Sequence, residues 1–294
     1  MYTDSQNKKW FKGNLHTHTK RSDGRLTPEE SAALYREHGY DFLSLTDHWK
    51  VSETCVHENG LLLLSGCEYN FGRMPQEGVF HVVAVGCEVD PGVKPEDGVQ
   101  GAIDKIHAVG GIADLAHPCW SLNTVEQLKP LSGVDFTEIF NSVSDLPRNC
   151  RPYSGDVIDK MAVQGYYWKT AAVDDTHWYG EADSCRSFIY VKAEECTREA
   201  LLAAIRAGDF YSSQGPRLSV ERTEKGLRLT FPAEDHVAMA TYFTDAVWTD
   251  RRSDEGVDME SAEFIWTGME TFVRVEVRDA EGRCAWTQVY PAKA

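Results

Sequence analysis

Apolar and polar positions alternate in two ways along this chain, and the change falls near residue 216. Before it, short apolar runs alternate with segments of helical spacing. "LTPEESAALYREHG" predicts a helix with both ends marked. Thr27 caps it, Pro28 suits the first turn, Glu30 completes a capping box and Gly39 ends it. "DFLSLTDH", "GLLLLSGCE" and "HVVAVG" follow as strands. "VQGAIDKIHAVGG" is helical, with Val99, Ala102, Ile103 and Ile106 on one face and paired glycines behind them. "GIADLAHP", "VDFTEIFN", "YWKTAAVDDTH" and "RSFIYVKA" are further strands, and "SGDVIDKMAVQ" and "TREALLAAIRAG" are helices. Strands alternating with helices imply a mostly parallel sheet with crossover helices, and about seven such units suffice to close a barrel.

From about residue 217 the period becomes two. "RLSVER", "GLRLTF", "VAMATYF", "SAEFIWT" and "TFVRVEVRDAEGRCAWTQVY" predict hairpins, one turning at Glu281-Gly282. The expected architecture is therefore α/β, with a TIM-like barrel over residues 1–215 and a small all-β sandwich over 216–294. Trp248, Trp266 and Trp286 in the second part are expected to pack in its core.

Composition narrows the setting. No apolar run approaches the roughly 20 residues that span a bilayer. The opening "MYTDSQNKKW" lacks the apolar stretch of a signal peptide, and the eight cysteines include no Cys-x-x-Cys pair. Both features lead to an expectation of reduced thiols and a cytoplasmic location. A formal charge of −16 repels polyanions, so duplex nucleic acid is not expected as a partner, nor is a membrane. A small anionic substrate remains compatible, because bound metal reverses the local sign.

The polar residues at strand ends supply the candidate chemistry. "GNLHTHTKRSDG" carries His16 and His18, which on a strand point to one face, followed by Asp23. His48 ends "LTDH", Glu68 follows in "SGCE", and His81 opens "HVVAVG". His117 closes "ADLAHP", and Asp175 and His177 lie just past "KTAAV". Chemistry in parallel barrels collects at the C-terminal ends of strands. Imidazole with carboxylate suits Zn, Mn or Fe better than the all-oxygen sites of Ca or Mg. In "DDTH", Asp175 shares a face with His177 if the strand continues, leaving Asp174 as a supporting residue. His38, His57, His107 and His236 are read as structural.

Taken in order, "NLHTHTKRSDG", "LTDHW", "GCE", "AHP" and "DTH" resemble the motifs of the PHP (polymerase and histidinol phosphatase) family of metal-dependent phosphoesterases, over roughly residues 10 to 215. The resemblance implies a distorted (β/α)7 barrel holding two or three metal ions. It implies one ion on His16, His18, Glu68 and Asp175, and a second on Glu68, His81 and His117. Asp23, His48 and His177 would hold a third. Three divalent ions would bring about +6 against about −3 from Asp23, Glu68 and Asp175, so the site seeks an anion.

The expected reaction is hydrolysis of a small phosphate ester, a monoester in preference to a diester, by a hydroxide bridging two metals. Glu68 would be the bridging ligand, with Asp23 or His177 assisting proton transfer. Arg21, Arg148, Arg151, Trp49 and Asn141 are the candidate substrate contacts, with Trp120 beside them; Glu138 and Asn141 in "EIFN" are read as lining the barrel mouth or, equally, as supporting or packing residues. The alternatives are a metal hydrolase of C–N or C–O bonds, for which Lys169 is the candidate for carbamylation, and a non-catalytic metal-binding module.

Overall fold

The computed structural model describes residues 1–4, 6–180, 182–249 and 252–292. Its helices form where the sequence marks their ends. Pro28–Glu37 is closed at its start by the reciprocal Thr27–Glu30 capping box, with contacts of 2.8 Å and 3.2 Å. Gly98–Ala108 turns Ala102, Ile103 and Ile106 inward. Arg198–Ala207 buries Leu201, Leu202, Ala204 and Ile205, and stops at Gly208, whose φ of +81° suits glycine.

Two sheets surround one core. In the first, Lys9–Asn14 pairs in parallel with Phe42–Ser44, which pairs in parallel with Leu62–Leu64. Phe188–Lys192 runs antiparallel on the other side of Lys9–Asn14, and Phe210–Ser213 antiparallel beyond it. The second sheet is Lys169–Val173, Phe136–Asn141, Ile112–Leu115, Phe80–Val85 and Gly66–Phe71, in that order. Phe11, Phe42 and Ile189 from the first sheet meet Val83, Ile112, Phe136 and Val173 from the second, closed over by Leu201 and Ile205.

Parallel alternation therefore holds only in part. Phe80–Val85 is antiparallel to both its neighbours, and Phe188–Lys192 is antiparallel to Lys9–Asn14. No helix separates Gly66–Phe71 from Phe80–Val85, so the short connection turns back as a hairpin.

The C-terminal strands form a second apolar layer. Ser219–Arg222, Gly226–Thr230 and Ser261–Ile265 make a three-stranded sheet. Its Leu227, Leu229 and Phe264 pack on Val273, Val275 and Val277 of Phe272–Asp279. The sheet that holds Phe272–Asp279 is continuous with the first sheet, because Cys284–Trp286 pairs with Ser212 and Ser213. Arg274, 1% exposed, reaches from this layer to Asp159 on the helix Gly155–Val163, at 2.6 and 2.7 Å, and to the Tyr153 hydroxyl. Of the three tryptophans expected in this core, Trp266 packs against it, Trp286 is buried in a different cluster with Ile139, Ile158 and Phe272, and Trp248 is exposed. No helix among the described residues is long and apolar enough to cross a membrane, and all eight cysteines are free.

Candidate metal centre

The nine histidine and carboxylate side chains singled out in the sequence meet at one end of the two sheets. His16 and His18 extend from Lys9–Asn14, and their backbone is tied to the 175–176 segment. Asp175 N–H donates to His16 O at 2.9 Å, and His18 N–H to Thr176 O at 2.9 Å. His48 lies beside Glu68 through a parallel bridge. His117 follows Ile112–Leu115, and Asp175 and His177 follow Lys169–Val173.

His81 opens its strand rather than closing it, which in an all-parallel sheet would put it at the opposite end. Because Phe80–Val85 runs antiparallel to Gly66–Phe71, with His81 opposite Asn70, the reversal carries it to the rest of the cluster.

The cluster divides into three overlapping groups. The innermost is His16, His18, Glu68 and Asp175, all buried. His16 Nε2 stands 3.2 Å from Glu68 Oε2, Asp175 Oδ1 and His18 Nε2. His18 Nε2 is 3.0 and 3.1 Å from the same two oxygens. Two imidazole nitrogens and two carboxylate oxygens converging in this way match the donor types of a zinc-like site. Asp175 Oδ1 is buried without a hydrogen bond among the described residues, as is His48 Nδ1. Buried polar atoms are almost always partnered. An acceptor left open among imidazole nitrogens fits a cation.

The second group is Glu68, His81 and His117, with the other carboxylate oxygen, Glu68 Oε1, at 2.5 Å from His81 Nδ1 and 3.6 Å from His117 Nε2. Glu68 thus offers one oxygen to each group. The third is Asp23, His48 and His177, with His18 Nδ1 also facing Asp23. Here the spacings are 3.5 to 3.8 Å, and the Asp23 side chain is 54% exposed.

Electrostatics mark the same gradient. Burial alone would lower the pKa of His16, but Asp175, Glu68 and Glu138 outweigh it and hold the value well above the ordinary range. Burial likewise opposes charge on His18, yet Asp175 and Glu68 raise it to about 9. Burial would push the Glu68 carboxyl up, but His16, His81 and His117 drive it well below the usual range. His48, whose largest influence is burial, is lowered.

Supporting residues surround these groups. Glu138, read from the sequence as a residue of the mouth or equally a supporting or packing one, is buried behind His16. Its Oε1 is 2.6 Å from His16 Nδ1, and its Oε2 accepts from His117 N–H at 2.9 Å and from Asn141 Nδ2 at 2.8 Å. A carboxylate on the far nitrogen fixes the ring and leaves Nε2 for a ligand. Asp47, inside the quoted "LTDH", accepts from Thr19 N–H, Ser22 N–H and both hydroxyls, and so folds the loop bearing Asp23. Asp183 accepts the backbone N–H groups of His177, Trp178 and Tyr179.

Asp174 faces away and takes hydrogen bonds from Tyr35, Ser142, Arg186 and Ser187, while burial raises its pKa to about 6. Its separation from Asp175 does not come from a continuing strand. The strand ends at Val173, and Asp175 sits at φ +52°. Trp49 and His117 also have positive φ, at +54° and +29°, conformations that cluster at functional sites.

A cleft of about 290 Å³ opens over the cluster. Its walls include Trp120, Ser144, Arg148, Asn149 and Trp178. Of the candidate substrate contacts, Arg148 lines it and four do not. Arg21 donates to Val51 O, so its guanidinium is drawn aside. Arg151 lies beyond the turn at 147–150 and is exposed outside the cleft. Trp49 gives its N–H to Asn70 and packs on Tyr69 and Phe71. Asn141 is buried, its amide N–H groups spent on Glu138 and Asp175. Lys169 starts its strand, at the end away from Asp175, and lies against Gly208.

No protein-family profile matches the sequence, and no curated protein matches it as a relative. Among solved structures, the chain resembles a two-domain protein from Bacteroides vulgatus containing a predicted PHP-like metal-dependent phosphoesterase. The two are 15% identical with a TM-score of 0.57, over 99% of this chain and 97% of that one. That likeness shows the fold. A putative metal-dependent phosphoesterase from Bifidobacterium adolescentis aligns over 58% of this chain and 90% of its own, at 16% identity and TM-score 0.44. Endonuclease Q, complexed with a 27-mer duplex substrate, aligns over 68% of this chain and 57% of its own, at 12% identity and TM-score 0.47. The expectation that duplex nucleic acid is excluded is corrected by that last complex, which holds a duplex at its active site. The physical reason is that a charge of −16 sums the whole surface and does not set the potential in a cleft bordered by Arg148.

Proposed function

We propose that this protein is a metal-dependent phosphoesterase of the PHP type, acting on a phosphate ester, with monoesters favoured over diesters. The observation that carries this reading is Glu68, which presents one oxygen to His16 and His18 and the other to His81 and His117. A carboxylate so placed suits a pair of ions at the separation used in hydrolysis. His16, His18, Glu68 and Asp175 would hold one ion, Glu68, His81 and His117 a second, and Asp23, His48 and His177 a third. Zn, Mn and Fe match this donor set. When bound, such ions polarise the phosphoryl oxygens and lower the pKa of water towards neutrality.

The chain's own residues then position and select. Glu138 holds the His16 ring, and Asn141 links Glu138 to Asp175. Arg148, Asn149, Ser144, Trp120 and Trp178 shape the substrate side. Asp23 and His177, 3.5 Å apart with Asp23 open to solvent, can move a proton at the rim when no ion lies between them. The architecture that goes with this reading is a distorted (β/α)7 barrel over 1–215 and a β-sandwich over 216–294. One core drawn from both sheets and a second around Val275 support two packed units, which share a continuous sheet and Trp10 and Tyr211.

The test is a panel of p-nitrophenyl phosphate, bis(p-nitrophenyl) phosphate, nucleotide and sugar phosphates and a DNA duplex, assayed with Zn, Mn or Fe and with chelator. Phosphate or nitrophenol release that depends on the metal supports the proposal. Turnover that persists in chelator, or none with any ester and metal, contradicts it. Lys169, the residue that carbamylation would need, lies away from the cluster.

A further inference from the structure

Asp23 is the least anchored member of the ligand cluster. Its side chain is 54% exposed, and within its own loop it accepts only from the Ser22 hydroxyl, at 3.1 Å. Asp47 ties that loop down on one side, through Thr19 and Ser22. On the other side the loop continues to Arg25, whose N–H donates to His177 O at 2.9 Å. The Arg25 guanidinium stacks on the Trp178 ring, 4.3 Å from its centroid. The same ring carries a second guanidinium, that of Arg148, at 4.4 Å. Both distances are well inside the range of cation–π attraction, for which indole is the best partner. Trp178 is itself fixed, because Asp183 takes its N–H together with those of His177 and Tyr179.

We infer that Trp178 is a positioning residue, a clasp that joins the loop bearing Asp23 to the cleft wall bearing Arg148. The outermost ion group and the shape of the substrate wall then depend on each other. Asp23 reaches His177 and His48 at 3.5 and 3.8 Å only while its loop is held towards them. Loss of the indole removes one ring contact from Arg25 and one from Arg148 at the same time. The inner groups, held by Glu138 and Asn141, do not depend on it. The ion-binding part of this inference rests on the metal-site reading above; the joining of the two loops does not.

The experiment compares wild type, Trp178→Phe and Trp178→Leu by titration with Mn and Zn, read as ions bound per chain, and by amide hydrogen exchange without metal. The expected result is a weakening of about tenfold or more in the weakest class of ion in Trp178→Leu, with the tighter classes unchanged and Trp178→Phe in between. Exchange should quicken at residues 19–26 and 143–149 together. Ion affinities unchanged in Trp178→Leu, or all classes weakened alike, would overturn the role at the outer group. Exchange that quickens in one segment alone would overturn the clasp. If the wild type itself binds no ion, the metal-site reading fails, and exchange still decides whether the two loops are joined.

Discussion

The inner and outer halves of the ligand cluster use the same residue types and are held very differently. At the inner end, His16, His18, Glu68 and Asp175 are buried, the two imidazoles 3.0 to 3.2 Å from both carboxylates, and backed by Glu138 and Asn141. At the outer end, His48 and His177 stand 3.8 and 3.5 Å from the Asp23 carboxylate, which is more than half exposed. The inner ligands rise from strands and the segments directly after them, whereas Asp23 hangs on a loop. A rigid frame fixes a coordination sphere before the ion arrives, and a loop leaves part of that ordering to the binding event. The inner pair of groups is therefore the reactive core of the account, and the outer group is its adjustable part.

Glu68→Ala breaks the inner half outright. It removes an oxygen from each inner group, so metal-dependent hydrolysis should fall to background and two classes of ion should be lost; elemental analysis with an ester assay checks both. Glu138→Gln is milder. It leaves every proposed ligand in place but withdraws the carboxylate from His16 Nδ1, and should weaken the inner ions about 10- to 100-fold. Unchanged affinity in this variant would mean that the His16–Glu138 contact does not tune the site.

A pH series sharpens the same contrast. Although burial opposes it, the Asp175 and Glu68 carboxylates raise His18 from 6.5 to about 9 in the ion-free fold. A folded value above the unfolded one adds stability that is full below about pH 6.5 and lost as pH rises through about 9. Bound ions replace those protons. The melting temperature of chelated protein should thus fall over this window relative to ion-loaded protein, so the gap between them widens. A gap that narrows towards pH 9 contradicts the assignment. Asp23→Asn should have the smallest effect, costing the weakest class of ion and leaving both inner classes in a metal titration.

Much of this arrangement was legible in the chain because ligands at strand ends keep short, ordered motifs. What the sequence concealed is set by long-range geometry. Hydrophobic period reports a strand but not its direction, so the antiparallel run of Phe80–Val85, which carries His81 to the cluster, could not be read from "HVVAVG". The direction was signalled only by the missing helix between it and "SGCE". Wall residues fared worse. Trp49 and Trp178 each directly follow a ligand histidine, yet one packs on Tyr69 and the other lines the cleft. Which of them faces substrate depends on how the 143–149 segment returns over the sheet, a matter of tertiary packing. Asp47 and Glu138 were in view within "LTDH" and "EIFN", and a buried acid next to a ligand motif was the available signal.

The most direct test of the central claim is the metal content of the protein purified without added metal or chelator, measured per chain and again after reconstitution. Two or three equivalents of Zn, Mn or Fe are expected, falling sharply in Glu68→Ala. No metal as isolated, and none regained from Zn, Mn or Fe, would mean that the nine side chains form a hydrogen-bonded cluster rather than a metal centre.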